Sequence, residues 1–164
     1  MRIIVMSDSH GREDRVDAVV QKHLAEADAF LFLGDVLRDI ASIRKRTFHK
    51  EWIAVPGNCD FGSDQPPTYL IPFVEGDREV RTLITHGHLF SVKRGMAQLE
   101  AEATRRGAQL VLFGHTHLPY TAYRGGIYYL NPGSLGHPRA GAPSYGIVDI
   151  TAGGIVPHVV EVYP

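Results

Sequence analysis

Cysteine, tryptophan and long apolar runs are scarce in this chain of 164 residues. Its single cysteine, Cys59, excludes an internal disulfide and fits a reducing compartment, so we expect a cytoplasmic protein. No stretch of about eighteen apolar residues occurs, which argues against a membrane-spanning helix, and the run at residues 3–6 is too short for a secretory signal. A formal net charge of -1 gives no reason to expect stable nucleic-acid binding.

The order of the predicted elements indicates an α/β fold. The length fits one domain over residues 1–164. Buried strands alternate with helical spacing in the first part, and hairpins dominate the second, which predicts a two-sheet sandwich with helices outside. The predicted strands cover residues 2–6, 29–33, 52–55, 69–74, 79–84, 108–113, 119–124, 127–130, 145–150 and 155–162, and the predicted helices cover 12–27, 39–48 and 93–107.

Short polar clusters directly follow five of the predicted strands. Asp, His and Asn are poor core residues but good metal ligands, and a donor set without thiolate suits manganese, iron, nickel or zinc. Five such clusters predict a two-metal hydrolase. The clusters are Asp8-Ser9-His10, Gly34-Asp35, Gly57-Asn58-Cys59-Asp60, Thr85-His86-Gly87-His88 and Gly114-His115-Thr116-His117.

The spacing inside two clusters favours shared ligation. Residues i and i+2 of an extended chain point to the same side, so we expect Asp8 and His10 to grip one ion together, and His115 and His117 likewise. Each cluster also has an ordinary interpretation, such as a helix cap at Asp8 or a turn residue at Asn58. Their occurrence together, in this order and after predicted strands, favours the metal site.

The combined motifs resemble those of a known family. The series Asp8-x-His10, Gly34-Asp35, Gly57-Asn58, His86 and Gly114-His115-x-His117 is similar to that of the calcineurin-like metallophosphoesterase superfamily. The strings Gly57-Asn58-Cys59-Asp60, Thr85-His86-Gly87-His88 and Asn131-Pro132-Gly133-Ser134 resemble the small YfcE-type phosphodiesterases. The resemblance implies a metallo-dependent phosphatase-like fold, a four-layer α-β-β-α sandwich of two mixed sheets flanked by helices.

The resemblance also implies two divalent ions and a ligand for each position. The first ion would be held by Asp8, His10, Asp35 and His117, and the second by Asp35, Asn58, His86 and His115. Asp35 would then bridge the ions, and Asp35, Asn58 and His86 would take part in catalysis. We expect manganese, with iron, nickel, zinc and magnesium as alternatives. The implied reaction is hydrolysis of a small-molecule phosphodiester by a hydroxide held between the ions.

The chain departs from the wider superfamily at Cys59, where many members carry a histidine thought to protonate the leaving group. A thiol is a weak substitute for an imidazolium, which leaves the general acid open. We favour a buried filler role for Cys59 and consider His88 and His137 as stand-ins for the acid.

Residues after a later strand suit the phosphate side of a substrate. A Gly-Ser turn offers backbone N–H groups to an anion, and an arginine pairs bidentately with phosphoryl oxygens. The predicted substrate-binding residues are Asn58, Ser134, His137 and Arg139.

Two other functions remain open on the same fold. A non-catalytic metal-binding scaffold would need no complete ligand set, whereas here all seven positions carry competent side chains. A phosphomonoesterase is the second alternative. Family relatives often associate, so a homodimer is also open.

Overall fold

The structure, a computed structural model, describes residues 1–162 as ten strands and three α-helices. The strands are β1 (Arg2–Met6), β2 (Ala29–Phe32), β3 (Glu51–Ala54), β4 (Thr68–Glu75), β5 (Arg78–Thr85), β6 (Leu110–Leu112), β7 (Pro119–Arg124), β8 (Ile127–Pro132), β9 (Ser144–Thr151) and β10 (Gly154–Glu161). The helices are α1 (Glu13–His23), α2 (Ala41–Arg46) and α3 (Ala97–Arg106). No helix within this part of the chain is long and apolar enough to cross a bilayer.

The strands form two mixed sheets of five strands each. The first sheet has the order β10-β9-β1-β2-β3, in which β1, β2 and β3 run parallel and β9 and β10 antiparallel to their neighbours. The second sheet has the order β4-β5-β6-β8-β7, with a parallel centre of β5, β6 and β8. This arrangement matches the predicted α/β sandwich.

Three apolar clusters define four layers. Strand β1 shows the reason, because its side chains alternate between two buried faces. Ile3 and Val5 point into the cluster between the two sheets, whereas Ile4 and Met6 pack against the helix side that holds Val16 of α1. On the far side, residues of β5, β6 and β8 pack against α3 in a third cluster. The α-β-β-α layering is therefore confirmed.

The helices are shorter than the sequence pattern predicted. Helix α1 ends at His23 instead of residue 27, because the N–H groups of Glu26 and Ala27 both donate to His23 O and tighten the chain into a turn. Helix α3 begins at Ala97 instead of residue 93, and the preceding Gly95 has a φ of 148° that no helix allows. The helix predicted over 39–48 is a 3-10 turn at Leu37–Ile40 followed by α2.

Candidate metal centre

The polar clusters meet where the parallel strands of both sheets end. Backbone hydrogen bonds join neighbouring loops: Asp8 N donates to Gly34 O at 2.9 Å, and Gly114 N donates to His86 O at 3.0 Å. Ligand sites in α/β folds lie outside the carboxyl ends of parallel strands. The sequence motifs therefore share one end of the sandwich.

Four side chains converge in a first group, formed by Asp8, His10, Asp35 and His117. One ligand atom from each lies within 4.8 Å of all the others. His10 Nε2 lies 3.3 Å from His117 Nε2, 3.9 Å from Asp8 Oδ1 and 3.7 Å from Asp35 Oδ2. Two carboxylates and two imidazoles facing one point suit a divalent transition metal.

The buried carboxylate of Asp8 tests this fit directly. Its Oδ2 accepts hydrogen bonds from Ser7 Oγ and from His115 N, the latter at 3.1 Å. Its Oδ1 is buried and accepts no hydrogen bond, although His117 Nε2 lies only 3.1 Å away. A buried polar atom without a partner costs about 1–3 kcal/mol, and more when charged. A cation bound by the first group would satisfy this oxygen.

A second group consists of Asp35, His86 and His115. His86 Nε2 lies 3.1 Å from His115 Nδ1 and 3.5 Å from Asp35 Oδ1. Asp35 thus belongs to both groups, with Oδ2 toward His10 and Oδ1 toward His86. A carboxylate with one oxygen toward each group has the arrangement of a bridging ligand.

Backbone carbonyls fix the tautomers of two histidines. His86 Nδ1 donates to Leu33 O at 2.6 Å, and His117 Nδ1 donates to His137 O at 2.7 Å. A carbonyl only accepts, so in the neutral ring the proton lies on Nδ1 and the Nε2 lone pair faces the group. Such second hydrogen bonds orient metal-ligating histidines and raise their basicity.

Two further carboxylates, which the sequence analysis assigned no role, hold the ligand loops. Asp39 accepts Ser9 Oγ at 2.6 Å and Gly11 N at 2.7 Å, which ties the loop after β1 to the 3-10 turn. Asp60 accepts four backbone N–H groups at 2.7 to 3.1 Å, those of Asp35, Val36, Leu37 and Gly57. Asp60 stood in the motif after β3, but its partners lie up to 25 positions away and leave no sequence signal.

Five of the predicted ligand residues have a left-handed backbone. Their φ values are 54° at Asp8, 44° at His10, 58° at Asp35, 69° at His115 and 60° at His117. Outside glycine this region costs about 1–2 kcal/mol per residue, and such strain clusters at functional sites. The backbone is therefore not extended at either i, i+2 pair, although Asp8 and His10 still lie in one group, as expected. Left-handed turns aim these side chains, and they send His115 and His117 to different groups.

The site shifts the pKa values of its histidines in opposite directions. Asp8 raises the pKa of His117, because a protonated ring would donate Nε2–H to the carboxylate. Burial lowers the pKa of His115 to about 4, and the charges of His86 and Lys93 add to this effect. Burial raises the pKa of Asp8, but His117 and His86 outweigh it and hold that pKa below its ordinary value. Opposed shifts within one cluster are typical of functional sites.

At the edge of the second group, the structure contradicts one expectation, the burial of Cys59. Cys59 is exposed, so the buried filler role is wrong; its backbone N–H donates to Asp35 Oδ1 at 2.9 Å. Asn58 is exposed beside it, with Nδ2 3.5 Å from Cys59 Sγ. The His88 ring lies 5.3 Å from the His86 ring, and its Nδ1 is buried without a hydrogen-bond partner.

The predicted phosphate-side residues divide into buried and exposed ones. Ser134 is fully buried, and its hydroxyl donates to Asp8 O at 2.7 Å and accepts from His137 N at 2.8 Å. Its side chain therefore supports the loop of Asp8 and is closed to a substrate. Arg139 and His137 are exposed, and the His137 ring stacks on His10 with 4.9 Å between centroids. Both remain open to a ligand.

Comparison with known proteins agrees with this geometry. A sequence model of the calcineurin-like phosphoesterase superfamily domain matches residues 1–153. Probable metallophosphoesterase YsnB of Bacillus subtilis is 32% identical over 139 residues, which cover 85% of this chain and 78% of that protein. Phosphodiesterase YfcE of Escherichia coli is 32% identical over 170 residues, which cover 91% of this chain and 88% of that protein.

Solved structures give the same result. A Streptococcus pneumoniae protein described as a predicted phosphoesterase has a TM-score of 0.81 at 32% identity, over 99% of this chain and 92% of that one. The structure of YfcE has a TM-score of 0.68 at 29% identity, over 91% and 88% of the two chains. Vps29 of Entamoeba histolytica, at 21% identity and a TM-score of 0.72 over 98% of each chain, shares the fold. The chain belongs to the calcineurin-like phosphoesterase superfamily.

Proposed function

We propose that this protein is a metal-dependent phosphodiesterase that uses two divalent ions, one in each ligand group. The observation that carries the proposal is the buried, unpartnered Oδ1 of Asp8, which lies 3.1 Å from His117 Nε2 and 3.9 Å from His10 Nε2 within the first group. Manganese is the proposed metal, and iron, nickel, zinc and magnesium suit similar donor sets. Asn58 is proposed as an additional ligand of the second group, because it follows β3 beside Cys59, whose N–H contacts Asp35.

Charge favours an anionic substrate once the groups are filled. Ions in a two-metal site act as Lewis acids and lower the pKa of bound water, which supplies the nucleophile. The ligand set contains two carboxylates, Asp8 and Asp35, and its histidines are neutral when they ligate. Two divalent ions therefore leave the site net positive, which suits a phosphodiester anion.

Residues of this chain orient the reaction. Asp35 links the two groups, and its position is fixed by the N–H of Cys59 and by the loop that Asp60 holds. His86 and His117 keep their Nε2 lone pairs inward through bonds to backbone carbonyls. Arg139 is exposed, and its backbone N–H donates to His117 O at 3.1 Å. We propose that its guanidinium binds a phosphoryl oxygen.

The leaving group receives little help from position 59. Although Cys59 is exposed, partial desolvation of its thiol and the charge of Asp35 raise the pKa of the thiol, so the thiol stays neutral and is a poor acid. His88, whose ring lies 5.3 Å from that of His86 and 6.1 Å from that of His115, is the proposed donor of a hydrogen bond to the leaving group. We therefore expect diesters with good leaving groups to be the better substrates.

Metal binding and hydrolysis test the proposal together. The protein is stripped with a chelator and reloaded with Mn²⁺, and metal per chain is measured with the hydrolysis of bis(p-nitrophenyl) phosphate and p-nitrophenyl phosphate. We expect two ions per chain and a higher kcat/KM for the diester. His117→Ala should lose one ion and Asp35→Asn both, whereas His49→Ala, which removes an exposed histidine elsewhere, should keep both. Full diesterase activity without bound metal, or in Asp35→Asn, would refute the proposal.

A further inference from the structure

Exposed apolar side chains occur in three of the loops that carry the metal centre. Phe61 is 94% exposed, Leu89 is 56% exposed and Leu118 is 42% exposed. Each directly follows a residue of the site: Phe61 follows the loop-holding Asp60, Leu89 follows His88, and Leu118 follows His117. Consecutive Cα atoms are about 3.8 Å apart, so each apolar residue starts next to the polar cluster. We call Phe61, Leu89 and Leu118 the apolar rim.

The rim comes from three separate loops of the fold. Phe61 lies after β3, Leu89 after β5 and Leu118 after β6, which are the strands whose ends carry the site. Single exposed apolar residues are ordinary on protein surfaces. Here an exposed apolar residue occurs in each of three site loops that are far apart in sequence. A random distribution of such residues over the surface does not explain this.

The remaining large exposed apolar residues within 1–162 lie elsewhere. None of them is within five positions of a predicted ligand or substrate-binding residue, whereas every residue of the rim is within three. They are Phe48 after α2, Leu70 and Val74 in β4, Tyr123 in β7 and Val156 in β10. The rim is therefore tied to the metal centre and is not part of a general apolar surface.

A flat polar ring completes the mouth of the site. His137 is exposed and stacks on His10 with an angle of 12° between the rings. Its open face offers a second surface for a planar group, and the phenyl ring of Phe61 offers the first. Small polar alcohols would gain nothing from such surfaces.

We propose that the apolar rim binds the organic ester group of the substrate, and that this group is apolar and planar, as in aryl and nucleobase-bearing phosphodiesters. This inference rests on the proposed phosphodiesterase function and names its substrate class. Phe61 contributes most, because its ring is almost wholly in water without substrate and loses the most water on contact.

Two diesters with one leaving group separate rim binding from chemistry. Bis(p-nitrophenyl) phosphate and methyl p-nitrophenyl phosphate both release p-nitrophenolate, and only the retained ester differs. We expect the wild-type protein to favour the diaryl ester in kcat/KM, and Phe61→Ser to reduce that preference about tenfold. Phe48→Ser removes an equally exposed ring at 83% far from the site and should keep the preference. An unchanged preference in Phe61→Ser, or an equal loss in Phe48→Ser, would overturn the inference.

Calorimetry supplies a readout that needs no turnover. Diphenyl phosphate should bind the Mn²⁺-loaded protein more tightly and with a more negative heat-capacity change than dimethyl phosphate, because it buries apolar surface. The difference should shrink in Phe61→Ser. If the two phosphates bind equally well, substrate binding by the rim is refuted even when both diesters are hydrolysed. If neither diester is hydrolysed, the proposed function is refuted, and the binding experiment still decides whether the rim binds the ester group.

Discussion

Gly57 offers the sharpest test of the bridging position of Asp35. A Cβ atom added to Gly57 would lie 2.2 Å from Asp35 Oδ1 and 2.5 Å from Asp35 N, both far inside the 3.4 Å of ordinary contact. A rotation of the carboxylate would relieve only the first overlap, because the second is with the backbone. Gly57 N also donates to Asp60 Oδ2 at 2.8 Å, so moving Gly57 away breaks the bond that holds the same loop.

We therefore expect Gly57→Ala to displace the one ligand that both groups share. Forcing a methyl group into a packed site costs about 1–3 kcal/mol, which for a chain of this size lowers Tm by about 5 °C. Disturbing a group that orients a metal ligand lowers metal affinity about 10- to 100-fold, and here both ions depend on Asp35. Metal content should fall well below two per chain and diesterase activity should fall with it.

The measurements are metal per chain after dialysis, kcat/KM on bis(p-nitrophenyl) phosphate and Tm by calorimetry. Gly153→Ala is the matched control, since its added Cβ would meet nothing nearer than Thr151 Oγ1 at 3.6 Å. A Gly57→Ala protein that binds two ions and keeps full activity would show that Asp35 is not held where its contacts place it.

Two further predictions concern pH. In the metal-free protein, Asp8 raises the pKa of His117 above 6.5, whereas burial lowers the pKa of His115 to about 4. Because a protonated histidine cannot bind a metal, acid should weaken Mn²⁺ binding to the first group before it weakens binding to the second. Calorimetric titrations between pH 7.5 and 5 that show the opposite order would contradict this prediction. The guanidinium of Arg2 donates two hydrogen bonds to the carboxylate of Asp149, at 2.7 and 2.9 Å, and lowers the pKa of Asp149. The pair therefore stabilises the fold at pH values above the pKa of this carboxyl in the unfolded chain. The stabilisation is lost as the pH falls through the lower pKa of the folded state. Asp149→Asn should cost about 0.5 kcal/mol in urea unfolding at pH 7 and much less near pH 2, and an equal cost at both would speak against the ion pair.

The strands were predictable because their buried positions carry apolar residue types. β1 is apolar on both faces, since one face meets the second sheet and the other meets α1. The hairpin around residues 125 and 126 follows equally from its two glycines, which have φ values of 56° and 80°. Helix ends were less predictable, because His23 and Gly95 end or delay a helix through hydrogen bonds and dihedrals that residue type alone does not specify.

The aspartates and histidines of the two groups were predictable from the sequence, but their geometry was not. Residue types after strands identified the side chains that the structure gathers into two groups. The left-handed backbone at His10 could not be predicted from the residue pattern, since only a small fraction of histidines adopt it, although histidine does so more often than most residues. The role of Asp60 depends on N–H groups contributed by another loop, and the burial of Ser134 depends on the approach of the loop of Asp8. Such contacts exist only after folding.

At the ligand positions with a left-handed backbone, selection for thermal stability and selection for activity favour different residues. Glycine adopts this backbone without penalty and asparagine tolerates it, so replacing a ligand such as His117 by either relieves about 1 kcal/mol of strain. Replacing Asp8 also removes a buried oxygen that has no partner until a cation arrives. A mutant library screened only for resistance to heat would therefore drift toward chains that keep the sandwich and discard the metal centre, whereas a screen for turnover would restore the strained residues one by one.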